Sequence, residues 1–125
     1  FSREKEIRTY YDGQYGYIYN NCYREDGLEI GPIGVIVPYP DASMEAMKKA
    51  SSGDPGVKER YTHYLLRAPE ELYDWSADPG SLKNLAGDPD YTQILEASRS
   101  GLLKWMEANR DPISEDYQEY IKSTR

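Results

Sequence analysis

A small α+β domain, with a short antiparallel sheet covered by an amphipathic helix, is the fold class that three features of the sequence predict. Two β-favouring runs, Ile7 to Tyr11 and Gln14 to Asn20, flank an Asp12-Gly13 pair of the kind that closes hairpins. Apolar residues from Tyr91 to Met106 recur at helical spacing behind an Asp88-Pro89 start signal. The 125 residues are enough to bury roughly 65–70% of the surface that the unfolded chain exposes. A core can therefore form without disulfide or metal staples, and residues 1–125 read as a single domain.

Each element has its own local reason. In the second strand, period-two spacing places Tyr15, Tyr17 and Tyr19 on one face and Gly16 and Ile18 on the other. Asp12-Gly13 predicts a two-residue type I′ turn before it. Asp26 to Pro40 is rich in Gly and Pro around the apolar Ile33 to Val37, which predicts an irregular excursion with at most a short edge strand. Met44, Met47 and Ala50 give Ser43 to Ala50 a helical face, closed by the breaker Ser51 to Gly56, and Lys58 to Leu66 reads as a further helical turn. Glu70 to Trp75 returns to a strand pattern. Asp78-Pro79-Gly80 suits a type II turn.

The clearest helix starts at Asp88, with Pro89 at its first position and Asp90 complementing the positive end of its dipole. Tyr91, Ile94, Leu95, Leu102, Trp105 and Met106 form its predicted apolar stripe, with Ser98 as the polar interruption, and Asn109 before Asp111-Pro112 ends it. Ser114, followed by Glu115 and Asp116, opens a last short helix that uses Tyr117, Tyr120 and Ile121.

Composition excludes several classes of function. Lys and Arg number 15 against 22 Asp and Glu, a net charge of -7, and the longest basic run is Lys48-Lys49. Nucleic acid and anionic membrane are therefore not expected as main partners. Val35-Ile36-Val37 is the longest apolar run, far short of the roughly 20 residues of a membrane helix. Mean hydropathy is -0.85, a value depressed by 13 tyrosines that still serve as core material. Cys22 is the single cysteine and forms no internal bridge. The start at Phe1, without Met or an apolar leader, reads as a piece of something longer.

No constellation in the sequence makes a self-contained active site. Four prolines follow aspartate, at Asp54, Asp78, Asp88 and Asp111. These aspartates read as caps and Asx-turns, because a calcium loop opening at Asp88 would need Gly and Glu where Gln93 and Arg99 stand. His63, the one histidine, reads as structural. Glu70 and Glu71 point to opposite strand faces and cannot make a facing acid pair, so a solvated strand end is expected. Cys22 has no partner histidine near it in sequence. The tyrosine stripe could stack on sugar rings, yet at strand spacing it reads first as packing. No phosphate-loop, dinucleotide, zinc or redox motif occurs.

Pro69-Glu70-Glu71-Leu72-Tyr73-Asp74, then Asp78-Pro79, Asn84-Leu85-Ala86, Asp88-Pro89 and Tyr91, resemble the C-terminal signature of sulfatases. The resemblance continues to Leu103-Lys104-Trp105-Met106, and more weakly to Arg8-Thr9 and Tyr17-Ile18 upstream. Arg60-Tyr61 and the Arg67-x-Pro69-Glu70-Glu71 run make the chain most similar to the heparan N-sulfatase branch. It implies the C-terminal subdomain of an alkaline-phosphatase-like enzyme: about four antiparallel strands under a C-terminal helix, lending loops to the rim of a cleft that binds sulfated carbohydrate.

The resemblance also implies a formylglycine nucleophile and calcium, both in a catalytic domain of the same parent protein, and a secreted, periplasmic or lysosomal setting. Cys22 is followed by Tyr23-Arg24-Glu25, which departs from the formylglycine motif, so no catalytic or metal residue carries over to this chain. Arg24 and Tyr39 are the expected rim residues. Two alternatives stay open: an autonomous carbohydrate-binding module using Tyr15, Tyr17 and Tyr19, and a dimer formed through the same face.

Overall fold

Runs rich in tyrosine and β-branched residues build the expected hairpin: β1, Ile7–Tyr11, pairs antiparallel with β2, Tyr15–Asn20. The computed structural model describes residues 6–21, 42–65 and 68–124. By backbone contacts the chain divides into two units, Glu6–Asn21 with Pro69–Arg125, and Phe1–Lys5 with Cys22–Ala68. The excursion from Asp26 to Pro40, its apolar Ile33 to Val37, and Cys22, Arg24 and Tyr39 lie outside the described residues.

In the first of these units β2 also pairs with β3, Glu70–Asp74, giving a sheet in the order β1-β2-β3. Three strands are thus seen among the described residues, against about four expected. The hairpin loop is wider than a type I′ turn. Tyr11 faces Gly16 in the register, and Asp12 Oδ1 accepts from the backbone N–H groups of Gln14 and Tyr15 at 2.9 and 2.7 Å. A type I′ turn needs positive φ at both central residues. Gly13 takes it (φ 109) and Asp12 does not, because its side chain is engaged in bridging the loop.

β3 ends at Asp74, whose carboxylate accepts from Ser76 N and Oγ at 3.0 and 2.6 Å. At the next turn Ser81 N–H bonds Asp78 O at 3.1 Å, but Gly80 does not adopt the positive φ of type II geometry. Ser81 adopts it instead (φ 51), while Asp78 accepts from the N–H groups of Leu82 and Lys83. The following Asn84 covers the outer edge of β3. Its Oδ1 accepts from Leu72 N at 2.9 Å, and Leu85 N–H bonds Leu72 O at 2.7 Å, so the strand edge is not left open.

Asp88 accepts from Asp90 N at 3.0 Å and starts a 3₁₀ turn, Pro89–Tyr91, that leads into α3, Thr92–Ala108. The face α3 buries consists of Leu95, Ser98, Arg99, Leu102 and Met106. Trp105 was expected on that stripe and is 54% exposed; the stripe turns one position away from it and takes in Arg99. α4, Ser114–Ser123, buries Tyr117 and Ile121 as expected. Together with Tyr17, Tyr19, Leu72, Leu85 and Ile113 these residues form one core between sheet and helices. Gly101 allows the close approach: a Cβ there would stand 2.5 Å from Cζ of Tyr10 on β1.

In the other unit α1, Ala42–Ser51, packs against α2, Pro55–Leu65. Asp54 Oδ1 accepts from Gly56 N at 2.8 Å, so α2 begins at Pro55 rather than at the expected Lys58, by the N-cap and Pro-at-N1 rule. All four Asp-Pro aspartates thus cap or turn the chain, Asp111 by accepting from Ile113 N at 3.1 Å. No described helix is long and apolar enough to cross a membrane.

Candidate functional site

A dense polar cluster lies inside the sheet–helix core. Strand parity turns Glu70 of β3 towards α3, and helical spacing brings Arg99 beneath it, four residues on from Leu95 and three before Leu102. Arg99 Nε donates to Glu70 Oε2 at 3.0 Å, and its Nη2 pairs with Glu70 Oε1. The guanidinium fork is completed by Nη1 to Glu96 at 2.6 Å. Tyr17 Oη donates to Glu70 Oε2 at 2.9 Å, and Tyr117 Oη bonds Tyr17 Oη at 3.1 Å. Burial opposes the charge on Arg99, but the Glu70 hydrogen bonds and charge outweigh it and hold its pKa above the ordinary value. Burial, then the nearby Tyr117 and Glu70, push the Tyr17 phenol far up. Both groups stay fixed in their protonated, donating forms.

The second acid of the pair, Glu71, is 1% exposed on the opposite face. It accepts from Asn20 Nδ2 at 2.7 Å and from Tyr73 Oη at 2.6 Å. The two glutamates do point apart, but the solvated strand end expected of them is overturned, since Glu70 is only 9% exposed. Glycosidase-type acid–base work needs two carboxyls facing one gap, and neither has one. A second Arg–carboxylate fork ties β1 to the turn after α3: Arg8 Nε and Nη2 donate to Asp111 at 2.6 and 3.0 Å. Hydrogen bonding from Arg8 holds the Asp111 carboxyl below its usual range.

Of the sequence-named residues, Tyr15, Tyr17 and Tyr19 share one face, and that face is packed. Tyr17 is 0% and Tyr19 4% exposed. Tyr19 stacks against Tyr117 and Tyr120, with ring centroids 4.6 and 5.2 Å apart. Tyr15 is half-buried against Tyr91. Tyr17 and Tyr19 have no ring face left for a sugar. His63 sits half-buried in α2. Sequence reasoning missed Arg99, although its place in the Leu95–Leu102 spacing marked it as core-facing. The Glu70 partner, 29 residues away, leaves no local signal.

Among the described residues no group of three or more His, Cys, Asp or Glu side chains converges as a metal site, and the carboxylates of Glu70 and Asp111 are held by arginines. Calcium does not fit these residues, and no nucleophile motif stands among them. The segment that carries the family resemblance does structural work throughout: Asp74, Asp78 and Asp88 close turns, Asn84 and Leu85 seal β3, and Glu70 anchors α3.

No family model matches the chain. Over 69 residues, 54% of the chain and 14% of the relative, it is 41% identical to human N-sulphoglucosamine sulphohydrolase. A Delta 4,5-hexuronate-2-O-sulfatase of Bacteroides thetaiotaomicron is 46% identical over 45% of the chain and 12% of its own length. An ulvan-active sulfatase of Formosa agariphila aligns over 92% of the chain and 19% of itself at 30% identity. The chain spans less than a fifth of the length of these curated relatives. With its signature segment built into turns, strand edge and core, the chain is by sequence a sulfatase-related segment, similar to N-sulphoglucosamine sulphohydrolase over part of its length.

Proposed function

We propose that the chain is the non-catalytic C-terminal part of a sulfatase that hydrolyses sulfate ester or sulfamate groups on a glycosaminoglycan-type sugar, and that it acts there as scaffold and cleft rim. The carrying observation is that the sulfatase-like segment, 69–91, spends its polar side chains on its own fold. Chemistry must then come from elsewhere in the parent. In this reading residues 1–125 form one subdomain, its partner is the catalytic domain of the same parent protein, and that domain holds the formylglycine and the calcium. The parent works in a secreted, periplasmic or lysosomal setting, and Arg24 and Tyr39 stand at the rim of its sulfated-carbohydrate cleft.

The test compares the chain alone with the chain rejoined to its upstream sequence, using an aryl sulfate and N-sulfoglucosamine. The rejoined protein releases sulfate and the isolated chain releases none. Sulfate release by the isolated chain overturns the non-catalytic assignment. In the rejoined protein, Arg24→Ala and Tyr39→Phe raise KM with kcat held; an unchanged KM removes those residues from the rim.

A further inference from the structure

We propose that the outer edge of β1, flanked by one side of α3, is a docking surface for a second copy of this chain, the two β1 strands pairing antiparallel about a two-fold axis at Thr9. The inference does not rest on the sulfatase reading. Tyr17 and Tyr19, being buried, take no part in it.

The two edges of the sheet differ. At β3 the outward backbone groups of Leu72 are taken by Asn84 and Leu85, and Asn84 Nδ2 reaches Glu70 O at 3.3 Å. At β1 the ends of the ladder, Asn21 N–H to Glu6 O at 3.0 Å and Asp12 N–H to Tyr15 O at 3.2 Å, show that even-numbered positions face β2. Ile7, Thr9 and Tyr11 therefore turn their backbone N–H and C=O groups outward, and among the described residues no strand pairs with them. Arg8 Nη1 donates to Ile7 O at 3.1 Å, which uses one of that carbonyl's two lone pairs. β1 has no proline, lysine or bulge to shield an open edge, and Thr9 and Tyr11 are exposed.

A second observation lies on α3. Ile94, Ala97, Gly101 and Trp105 follow at three- and four-residue spacing and share one side of the helix. Gly101 sits on Tyr10 of β1, so this row lies on the side of the open edge. It bears no charge, and it carries the exposed Trp105 that the core leaves out.

Self-complementarity chooses the occupant. With Thr9 opposite Thr9 of the second copy, every outward group of β1 meets an outward group, because Ile7 then faces Tyr11. Aromatic–β-branched and Thr–Thr pairs are favourable across strands, and Arg8 comes opposite Tyr10 rather than a charge of its own sign. Shifting the register by two residues either sets Arg8 against Arg8 or leaves Ile7 without a partner strand residue. The same axis brings the two uncharged α3 flanks side by side over the joined strands and covers Trp105. One surface thus serves both copies, as a closed two-fold contact requires.

The test is sedimentation of the full chain across a wide concentration range, with backbone amide exchange as a second readout. Dimers form as concentration rises, more readily at high salt because each copy carries a net charge of -7. Thr9→Pro removes an outward N–H and spares the ladder to β2, while Thr9→Lys sets like charges at the axis. Each weakens dimerisation about tenfold or more with far-UV circular dichroism unchanged. In the unmutated chain the amides of Ile7, Thr9 and Tyr11 gain protection as the dimer forms. A monomer at every concentration, a dimer as strong in Thr9→Lys as in the unmutated chain, or protection of those amides that does not change with concentration overturns the proposal. The last result gives the edge to another segment of the same chain.

Discussion

Arg99–Glu70 and Arg8–Asp111 are the same chemical pair in two settings. Both are two-pronged guanidinium–carboxylate contacts joining the sheet to the helical layer. The Arg99–Glu70 side chains are 6% and 10% exposed and share their atoms with Tyr17 and Glu96, whereas the second pair opens to solvent on its arginine side alone, with Arg8 25% and Asp111 7% exposed. A buried fork matters chiefly for what its loss leaves behind, an unpaired charge in the core. A rim fork is a brace that water and salt can partly replace.

Breaking the buried pair gives the largest effect. Arg99→Ala strands Glu70 beneath α3 and lowers unfolding free energy by about 3–5 kcal/mol in urea titration; a loss below about 1 kcal/mol would mean that water reaches Glu70. Removing both charges sharpens the point. Arg99→Met with Glu70→Leu recovers most of that loss, because two apolar chains need no partner, and a double variant as weak as Arg99→Ala would show the pair itself to be stabilising. The rim fork ranks lower: Arg8→Ala costs about 1 kcal/mol at low salt and less at high salt, a dependence that Arg99→Ala does not show.

The pH profile separates the two settings at opposite ends. Arg8 depresses the Asp111 pKa, so the stability from that pair is present above the ordinary aspartate value of about 3.9 and is lost as pH falls below it. Arg8→Ala flattens this acid limb. At the alkaline end Tyr19 is pushed up to about 12, mainly by burial, and Tyr17 and Tyr117 further. Stability from these phenols is complete below about 10, the ordinary tyrosine value, and falls as pH rises through about 12. Far-UV circular dichroism with tyrosinate absorbance follows both limbs; an alkaline loss unaccompanied by tyrosinate formation would assign it to other groups.

Legibility in the sequence followed the range of the interaction. The β1–β2 hairpin, α1, α3 and α4 rest on period, caps and breakers within a few residues, and these were readable, as were the four Asp-Pro caps. The exposed Trp105 and the buried Arg99 were not. Their positions on the wheel differ by a fraction of a turn, and which edge of the stripe is covered depends on how α3 lies across Tyr10, Tyr17 and Leu72. Glu70 read as solvated because charge alone predicts exposure when the partner is 29 residues away.

The sequence by itself determined an α+β domain, its element order, the tyrosine stripe and the sulfatase-like segment, because each is written in local spacing and residue type. Tertiary structure alone decided that Glu70, Glu71 and Arg99 are interior groups and that Trp105 faces out, as Tyr11 does. The physical reason is that burial is a property of pairs. A charge or a phenol enters a core only where another element brings it a partner, and no stretch of sequence read alone contains that element.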